Sequence, residues 1–289
     1  MDGIIIINKE KNYTSNDVVS IVKKITKSKV GHTGTLDPNA TGVLPLLIGN
    51  ATKISKYLIN HDKEYEVVLQ LGAKTETADV EGKVIEEKEV TLDMLKKENI
   101  NKTLQQFVGR QEQTPPIYSA IKVNGKKLYE YARKGQNVEI KSRQIEIYSI
   151  KLEKINEKEK QIIFKVKCSK GTYIRSLCED ISQNLGTVGY MKDLNRLQVG
   201  DFCIKDAITI SELKRKIENN NLENLITIEN IFKNNKKIKL EQKHLEPYIN
   251  GVKINVDKAD GVYKIYNNED AFIGLGIIKD NKLKRDLVI

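Results

Sequence analysis

Gly31-His32-Thr33-Gly34-Thr35-Leu36-Asp37-Pro38-Asn39-Ala40-Thr41-Gly42-Val43-Leu44-Pro45 gathers three of the chain's 18 glycines and two of its five prolines around a single acid, Asp37. Glycines permit positive φ and close approach of another backbone. Pro38 biases Asp37 away from αR towards an extended conformation. The carboxylate is therefore presented by a backbone with little freedom. Leu36, Val43, Leu44, Leu46, Leu47 and Ile48 flank the stretch and would pin it onto a core. Read alone, it is also compatible with an Asp-Pro turn closed by an Asx cap.

Upstream, Ile4-Ile5-Ile6-Ile7 is a β-branched run and reads as a strand buried on both faces. Thr14 and Asp17 have capping-box spacing. Val18, Ile21, Val22 and Ile25 then follow with helical period, so Ser15 to about Lys27 is predicted helical. Downstream, Ala51–Ile59 and Thr91–Val108 are predicted helices, and Tyr65–Gly72 a strand. Lys74–Gly82 has the composition of a surface loop. Gln113-Thr114-Pro115-Pro116-Ile117-Tyr118-Ser119-Ala120-Ile121-Lys122 is the second unusual stretch, and lysines interleave with tyrosines after it as far as Lys134. Such a mixture offers stacking faces and phosphate contacts; it also suits a solvated amphipathic helix. Gln144–Leu152, Ile162–Cys168 and Arg196–Ile204 alternate as strands. Between the last two, Ser169-Lys170-Gly171-Thr172-Tyr173 leads into a helix that Gly186 ends. Lys214 to about Lys243 reads as helical turns and a linker, and the rest as a small β-rich unit.

The 289 residues favour one large or two unequal domains. A net charge of +10 favours a polyanionic partner, nucleic acid among them. Cys168, Cys178 and Cys203 have no CxxC spacing, and His32, His61 and His244 stand far from them, so no metal site is expected. The N-terminus has no basic region, and its apolar run is too short for a signal or a spanning helix. A cytoplasmic protein without membrane contact is the expectation.

Asp37-Pro38-Asn39-Ala40-Thr41 lacks the second carboxylate that a DxDxT phosphatase loop needs as general acid. No GxxxxGK[ST] occurs. A glycosidase pair needs a second acid, and nothing in the sequence brackets Asp79 or Asp180 with Asp37. One carboxylate facing an arginine remains.

The stretch at 31–45 closely resembles the catalytic motif of the bacterial tRNA pseudouridine synthase B (TruB) family. The resemblance continues through Gly3–Lys9 with Thr14-Ser15, Lys63-Glu64-Tyr65-Glu66, Gln113–Lys122, Gly125–Arg133 and Cys168–Arg175, in one order. Glu10 and Asn12 stand where the family usually has Pro and Gly, and Asn39 where it usually has an apolar residue.

That resemblance implies an α+β pseudouridine synthase fold: a central, mostly antiparallel mixed sheet flanked by helices, plus a small β-rich PUA-like C-terminal domain. Residues 1–235 would form the catalytic domain, with an RNA-clamping insertion at about 112–140, and residues 236–289 the small RNA-binding domain. The implied reaction turns uridine 55 of the tRNA T-loop into pseudouridine by base flipping, without cofactor. Asp37 maps onto the catalytic aspartate, Arg175 onto its arginine partner and Tyr65 onto the tyrosine that stacks on the base. Leu194 maps onto an apolar wall against the uracil, and His32 onto a T-loop contact. Lys9, Tyr118, Lys122, Lys126, Lys127, Tyr129, Lys170, Tyr173 and Arg196 complete the expected RNA contacts. The implied partner is the tRNA T-stem–loop, met by a monomer with no obligatory protein partner. Two alternatives stay open: an RNA-binding protein that helps tRNA fold, and a guide-dependent relative.

Overall fold

The structure, a computed structural model, describes residues 1–289. The chain opens with β1 (Gly3–Lys9), whose isoleucines are buried on both faces. Helix α1 (Ser15–Thr26) follows, and the capping box forms: Thr14 Oγ1 accepts from the Asp17 amide. The short strand β2 (Val30–His32) leads into the Asp37 loop, which returns through β3 (Thr41–Ile48). Residues predicted as a helix at 51–59 instead form a 3₁₀ segment and the single turn α2 (Ser55–Leu58).

Strand β4 (Lys63–Leu71) is followed by a two-stranded excursion, β5 (Ala73–Thr75) and β6 (Val84–Glu87), where only a loop was expected. The helix predicted over 91–108 is shorter: α3 spans Lys97–Gln105. Its start is set by Lys96, which is extended with ψ 133°. Leu92, inside the predicted span, is 75% exposed.

After β7 (Gly109–Gln113), the Lys/Tyr-rich segment makes no long amphipathic helix. It forms a hairpin, β8 (Lys122–Val123) and β9 (Lys126–Lys127), and the short α4 (Leu128–Ala132). The paired strands β10 (Arg143–Asn156) and β11 (Gln161–Cys168) run to α5 (Ile174–Asn184). The strand expected at 196–204 is the end of β12 (Gly189–Val199), broken at Gly200 before β13 (Phe202–Cys203).

These strands make one nine-stranded sheet, ordered β1-β3-β12-β4-β11-β10-β7, with β2 on β3 and β13 on β12. Only the β3–β12 pairing is parallel. It brings Thr41 and Gly42, just after the Asp37 loop, against Asn195 and Arg196. Gly42 has φ +104°, and a Cβ there would meet the Arg196 carbonyl at 2.2 Å, so the glycine permits the crossing. A 34-residue apolar core, which includes Val18, Leu36, Tyr65, Ile174 and Leu194, lies under the loop.

Helices α6 (Ile210–Glu218) and α7 (Ile228–Ile231) lead to a separate sheet. It contains β14 (Lys237–Lys239), β15 (Ile254–Asn255), β16 (Gly261–Tyr266), β17 (Phe272–Lys279) and β18 (Lys282–Val288). β14 falls where a linker was expected; its three residues alternate too briefly to be read. Helix α8 (Gln242–Ile249) closes this β unit, which has a small core of its own around Tyr248 and Ile265. Leu275 and Leu287 join the core of the larger sheet, and Asp286 accepts from Tyr57 at 2.7 Å.

Candidate active site

The Asp37 loop is fastened from three directions. From α1, Ser15 Oγ donates to Leu36 O at 3.1 Å and accepts from Leu36 N at 2.9 Å. From the end of β1, Lys9 Nζ donates to the carbonyls of Glu10, Tyr13 and Pro38 at 2.9, 2.7 and 3.0 Å. From β12, Arg196 donates to Val43 O at 2.8 Å, Gly34 O at 3.0 Å and Thr35 O at 3.3 Å. Buried backbone carbonyls need donors, and here side chains supply them. The strand β2 also leads directly into this loop.

Arg175, in the first turn of α5, is 6% exposed and joins two carboxylates. Its Nε lies 3.2 Å from Asp37 Oδ2 and its Nη1 3.4 Å from Asp79 Oδ2. Nη1 also donates to Thr77 O at 3.2 Å and Nη2 to Tyr118 O at 3.0 Å. Arg175 thus meets Asp37 at one point and distributes its remaining donors over two other segments. Asp79 was noticed in the sequence but not linked to Asp37; the link is spatial, through Arg175. The local signal was a second tight acidic turn, Thr77-Ala78-Asp79-Val80-Glu81-Gly82. There Asp79 accepts from Thr77 Oγ1 and from the Glu81 amide, and Ala78 takes φ +60°. Asn39, the odd residue beside Asp37, donates to Glu81 Oε1 at 2.8 Å and ties the two acidic loops together.

The Asp37 side chain keeps 39% of its accessibility and lines a cleft. Burial pushes its carboxyl above the usual 3.8, Arg175 opposes that, and Asp79 reinforces it. Desolvation is the larger effect, and the arginine only partly offsets it. Tyr65, in β4, is 8% exposed. Burial pushes its phenol up to about 12 against the pull of Arg196, so it stays protonated at neutral pH.

The cleft encloses about 730 Å³ and is lined by Asp37, Tyr65, Leu194 and Arg175 together with Tyr118, Tyr129, Lys170 and Tyr173. Those sequence-predicted residues are brought together. His32 is not among the walls; it sits half-buried on β2, with Nδ1 unpartnered and its pKa lowered by burial. Lys122 and Lys126 project from the β8–β9 hairpin into solvent, and Lys127 donates to the Tyr129 hydroxyl at 3.2 Å. Two expectations need correction. Lys9 is 0% and Arg196 1% exposed, so, although Arg196 borders the cleft, neither presents an open cationic surface to RNA. Their donors face backbone carbonyls, and burial draws the Lys9 ammonium down to about 8. Lys63 and Arg143, which the sequence did not single out, also line the cleft. No group of His, Cys, Asp and Glu is disposed to hold a metal ion.

A family model described as TruB family pseudouridylate synthase, N-terminal domain, matches residues 22–174. One for the tRNA pseudouridylate synthase B C-terminal domain matches residues 175–242. Among curated relatives, tRNA pseudouridine synthase B of Clostridium kluyveri is 44% identical over 98% of this chain and 98% of its own. That of Staphylococcus aureus is 42% identical over 91% of this chain and 88% of its own. Among solved structures, a Cbf5-Nop10-Gar1 complex aligns over 99% of this chain and 83% of the matched one, with a TM-score of 0.68 at 24% identity. An H/ACA RNP bound to a substrate RNA containing 2′-deoxyuridine aligns over 99% and 84%, with a TM-score of 0.69 at 22% identity. At those identities the likeness concerns the fold.

Proposed function

The chain belongs to the TruB family of pseudouridylate synthases, and on that premise we propose that it converts uridine 55 in the T-loop of tRNA to pseudouridine, with Asp37 as nucleophile. The observation that carries this reading is the pairing of Asp37 with Arg175 at 3.2 Å inside a cleft walled by Tyr65 and Leu194. A loop uridine must leave its stack to reach a carboxylate inside a cleft. Tyr65 then offers a stacking face, Leu194 an apolar wall, and the protonated phenol a donor. The N1–C1′ bond breaks, the base turns over, C5 bonds to C1′, and the C5 hydrogen leaves as a proton while N1 gains one. Substrate and product are isomers, so the sum needs no redox partner or group donor.

The cleft's aromatic and basic walls suit a nucleotide held by stacking and phosphate contacts. By the same reading, residues 1–235 form the catalytic unit, including the clamp at 112–140, and residues 236–289 form a PUA-like RNA-binding unit. The protein then acts as a monomer in the cytoplasm. No helix is long and apolar enough to cross a membrane.

The test is purified full-length protein with an unmodified tRNA transcript carrying tritium at C5 of uridine. One equivalent of tritium should be released per tRNA and the product should map to position 55, with Asp37→Asn binding the RNA but releasing none. Turnover by Asp37→Asn would falsify the assignment of the nucleophile. A requirement for an added protein or guide RNA would place the chain with guide-dependent relatives instead.

A further inference from the structure

The cleft holds one guanidinium that the protein leaves free. Arg143 opens β10, where it pairs with Gln113 of β7. Its guanidinium carbon lies 4.9 Å from the centroid of the Tyr173 ring. Gly171, at φ +82°, borders it: a Cβ there would come within 3.4 Å of Nη1. An aromatic platform and a glycine therefore set the position of the guanidinium. Nη2 is buried, yet it meets no acceptor in the protein.

The other cations of the cleft already have partners. Arg175 joins Asp37 and Asp79. Arg196 faces three backbone carbonyls. Lys170 donates to Asn60 Oδ1 at 2.7 Å, and Lys63 to the His61 carbonyl. Asp37 is the one acid in the lining, and Arg175 meets it. A positioned, partly desolvated planar cation without a protein anion calls for an anion from the ligand. Guanidinium geometry matches two oxygens of a phosphodiester.

We propose that Arg143, stacked on Tyr173, binds one backbone phosphate of the RNA next to the flipped uridine. This rests on the reading of the chain as an enzyme acting on a tRNA T-arm. The contact positions the strand whose base enters the cleft, and it takes no part in bond making.

The test uses the full-length protein and a T-arm RNA hairpin, with Kd measured between low and moderate salt. Each neutralised phosphate contributes about 0.7–0.9 to the slope of log K against log salt. Arg143→Gln should weaken binding about tenfold near physiological salt and flatten that slope by about one such unit. Its single-turnover rate at saturating RNA should stay within about twofold. Arg143→Lys should keep the slope while losing part of the affinity, and it serves as the reporter if the Gln variant fails to fold. Hairpins with one neutral methylphosphonate at each linkage flanking the target uridine locate the contact. At one linkage, the parent and Arg143→Gln should bind alike.

An unchanged slope overturns the proposal, even if binding weakens, because loss of a base contact or of packing releases no counterion. So does a difference between parent and variant that survives every neutral linkage. If the parent itself binds the hairpin no better than an unrelated stem–loop, the functional reading falls first. If the parent binds steeply and specifically while Arg143→Gln matches it, only the phosphate site falls.

Discussion

The Asp37 loop and the segment from Tyr118 to Lys134 both combine cations with acceptors, but they use them in opposite ways. Around the loop, Lys9, Arg175 and Arg196 turn inward, and their partners are carbonyls and carboxylates of the chain. In the segment, two-residue strands and a five-residue helix carry Lys122 and Lys126 out into solvent. The segment is moored at few points: Leu128 is fully buried, Tyr118 O accepts from Arg175 Nη2 at 3.0 Å, and Tyr118 Oη donates to Glu76. The carboxylate proposed to react needs a fixed position, and buried cations bonded to backbone supply it. A surface that meets a polyanion needs its cations unpaired. Residue type is the same in both; burial decides the use.

The comparison breaks most severely at Arg175. Removing one member of a buried ion pair costs about 3–5 kcal/mol; the low end applies here because Asp37 opens on the cleft. Felt wholly in the transition state, that is roughly a hundredfold or more in rate. Arg175→Met is expected to lose at least that in single-turnover rate. Arg175→Lys should recover little, since an ammonium cannot reach Asp37, Asp79, Thr77 O and Tyr118 O together. Near-parental turnover by the Lys variant would show that the distributed contacts do not matter. Arg196→Lys comes next. The substitution keeps the positive charge that acts on Tyr65 and Asp37, yet it loosens the carbonyls of Gly34, Thr35 and Val43. Small displacements of a catalytic group cost up to about a hundredfold, so a ten- to hundredfold slower single turnover with unchanged RNA affinity is expected. If affinity falls instead, Arg196 belongs with the RNA-facing cations after all.

Much of the loop was legible. Gly31 to Pro45 announced a constrained acid, Thr14 and Asp17 announced the helix that fastens it, and the order of motifs announced Arg175 and Tyr65. Three things were not. Lys9 and Arg196 looked like RNA contacts because sequence shows that a residue is basic but not which way it faces; only the β3–β12 crossing buries Arg196 beneath the loop. Asp79 could not be joined to Asp37 because their link runs through a third residue nearly 100 positions further along the chain. The Tyr118–Lys134 segment has lysine and tyrosine spacing compatible with a helix, but Asn124 at φ +50° and Gly125 at φ +80° turn it into a hairpin. Such a turn is read from backbone angles that Asn and Gly permit but do not dictate.

A smaller and signed effect concerns pH. Burial raises the Asp37 carboxyl, Asp79 raises it further, and Arg175 and Lys9 lower it. Because the folded-state value lies above 3.8, ionising Asp37 works against folding. That destabilisation is absent below the unfolded pKa and complete above the folded one. As the proposed nucleophile, Asp37 must be ionised, so the rate should fall on the acid side with a midpoint above the ordinary carboxylate value. Asp79→Asn should move that midpoint to lower pH and Lys9→Met to higher pH, read from single-turnover rate against pH. Midpoints that move together, or not at all, would mean that the limb reports another group.

The smallest expected effects lie on the exposed side of the comparison. Lys122→Ala and Lys126→Ala remove solvated charges with no protein partner, so folding and single-turnover rate should hardly change. Each should weaken T-arm binding only a few fold, by a similar factor for T-arms of different sequence, because a phosphate contact carries no base information. Each should also flatten the salt slope by about 0.7–0.9 if its lysine reaches a phosphate. Lys127 differs within the same hairpin, because its ammonium already meets the Tyr129 hydroxyl and lies 5.3 Å from that ring's centroid. Lys127→Ala is therefore expected to disturb a cleft wall and slow single turnover, while the other two leave it unchanged. If all three lysines behave alike in rate and slope, Tyr129 is not set by Lys127, and the boundary between fixing cations and RNA-facing cations lies outside this hairpin.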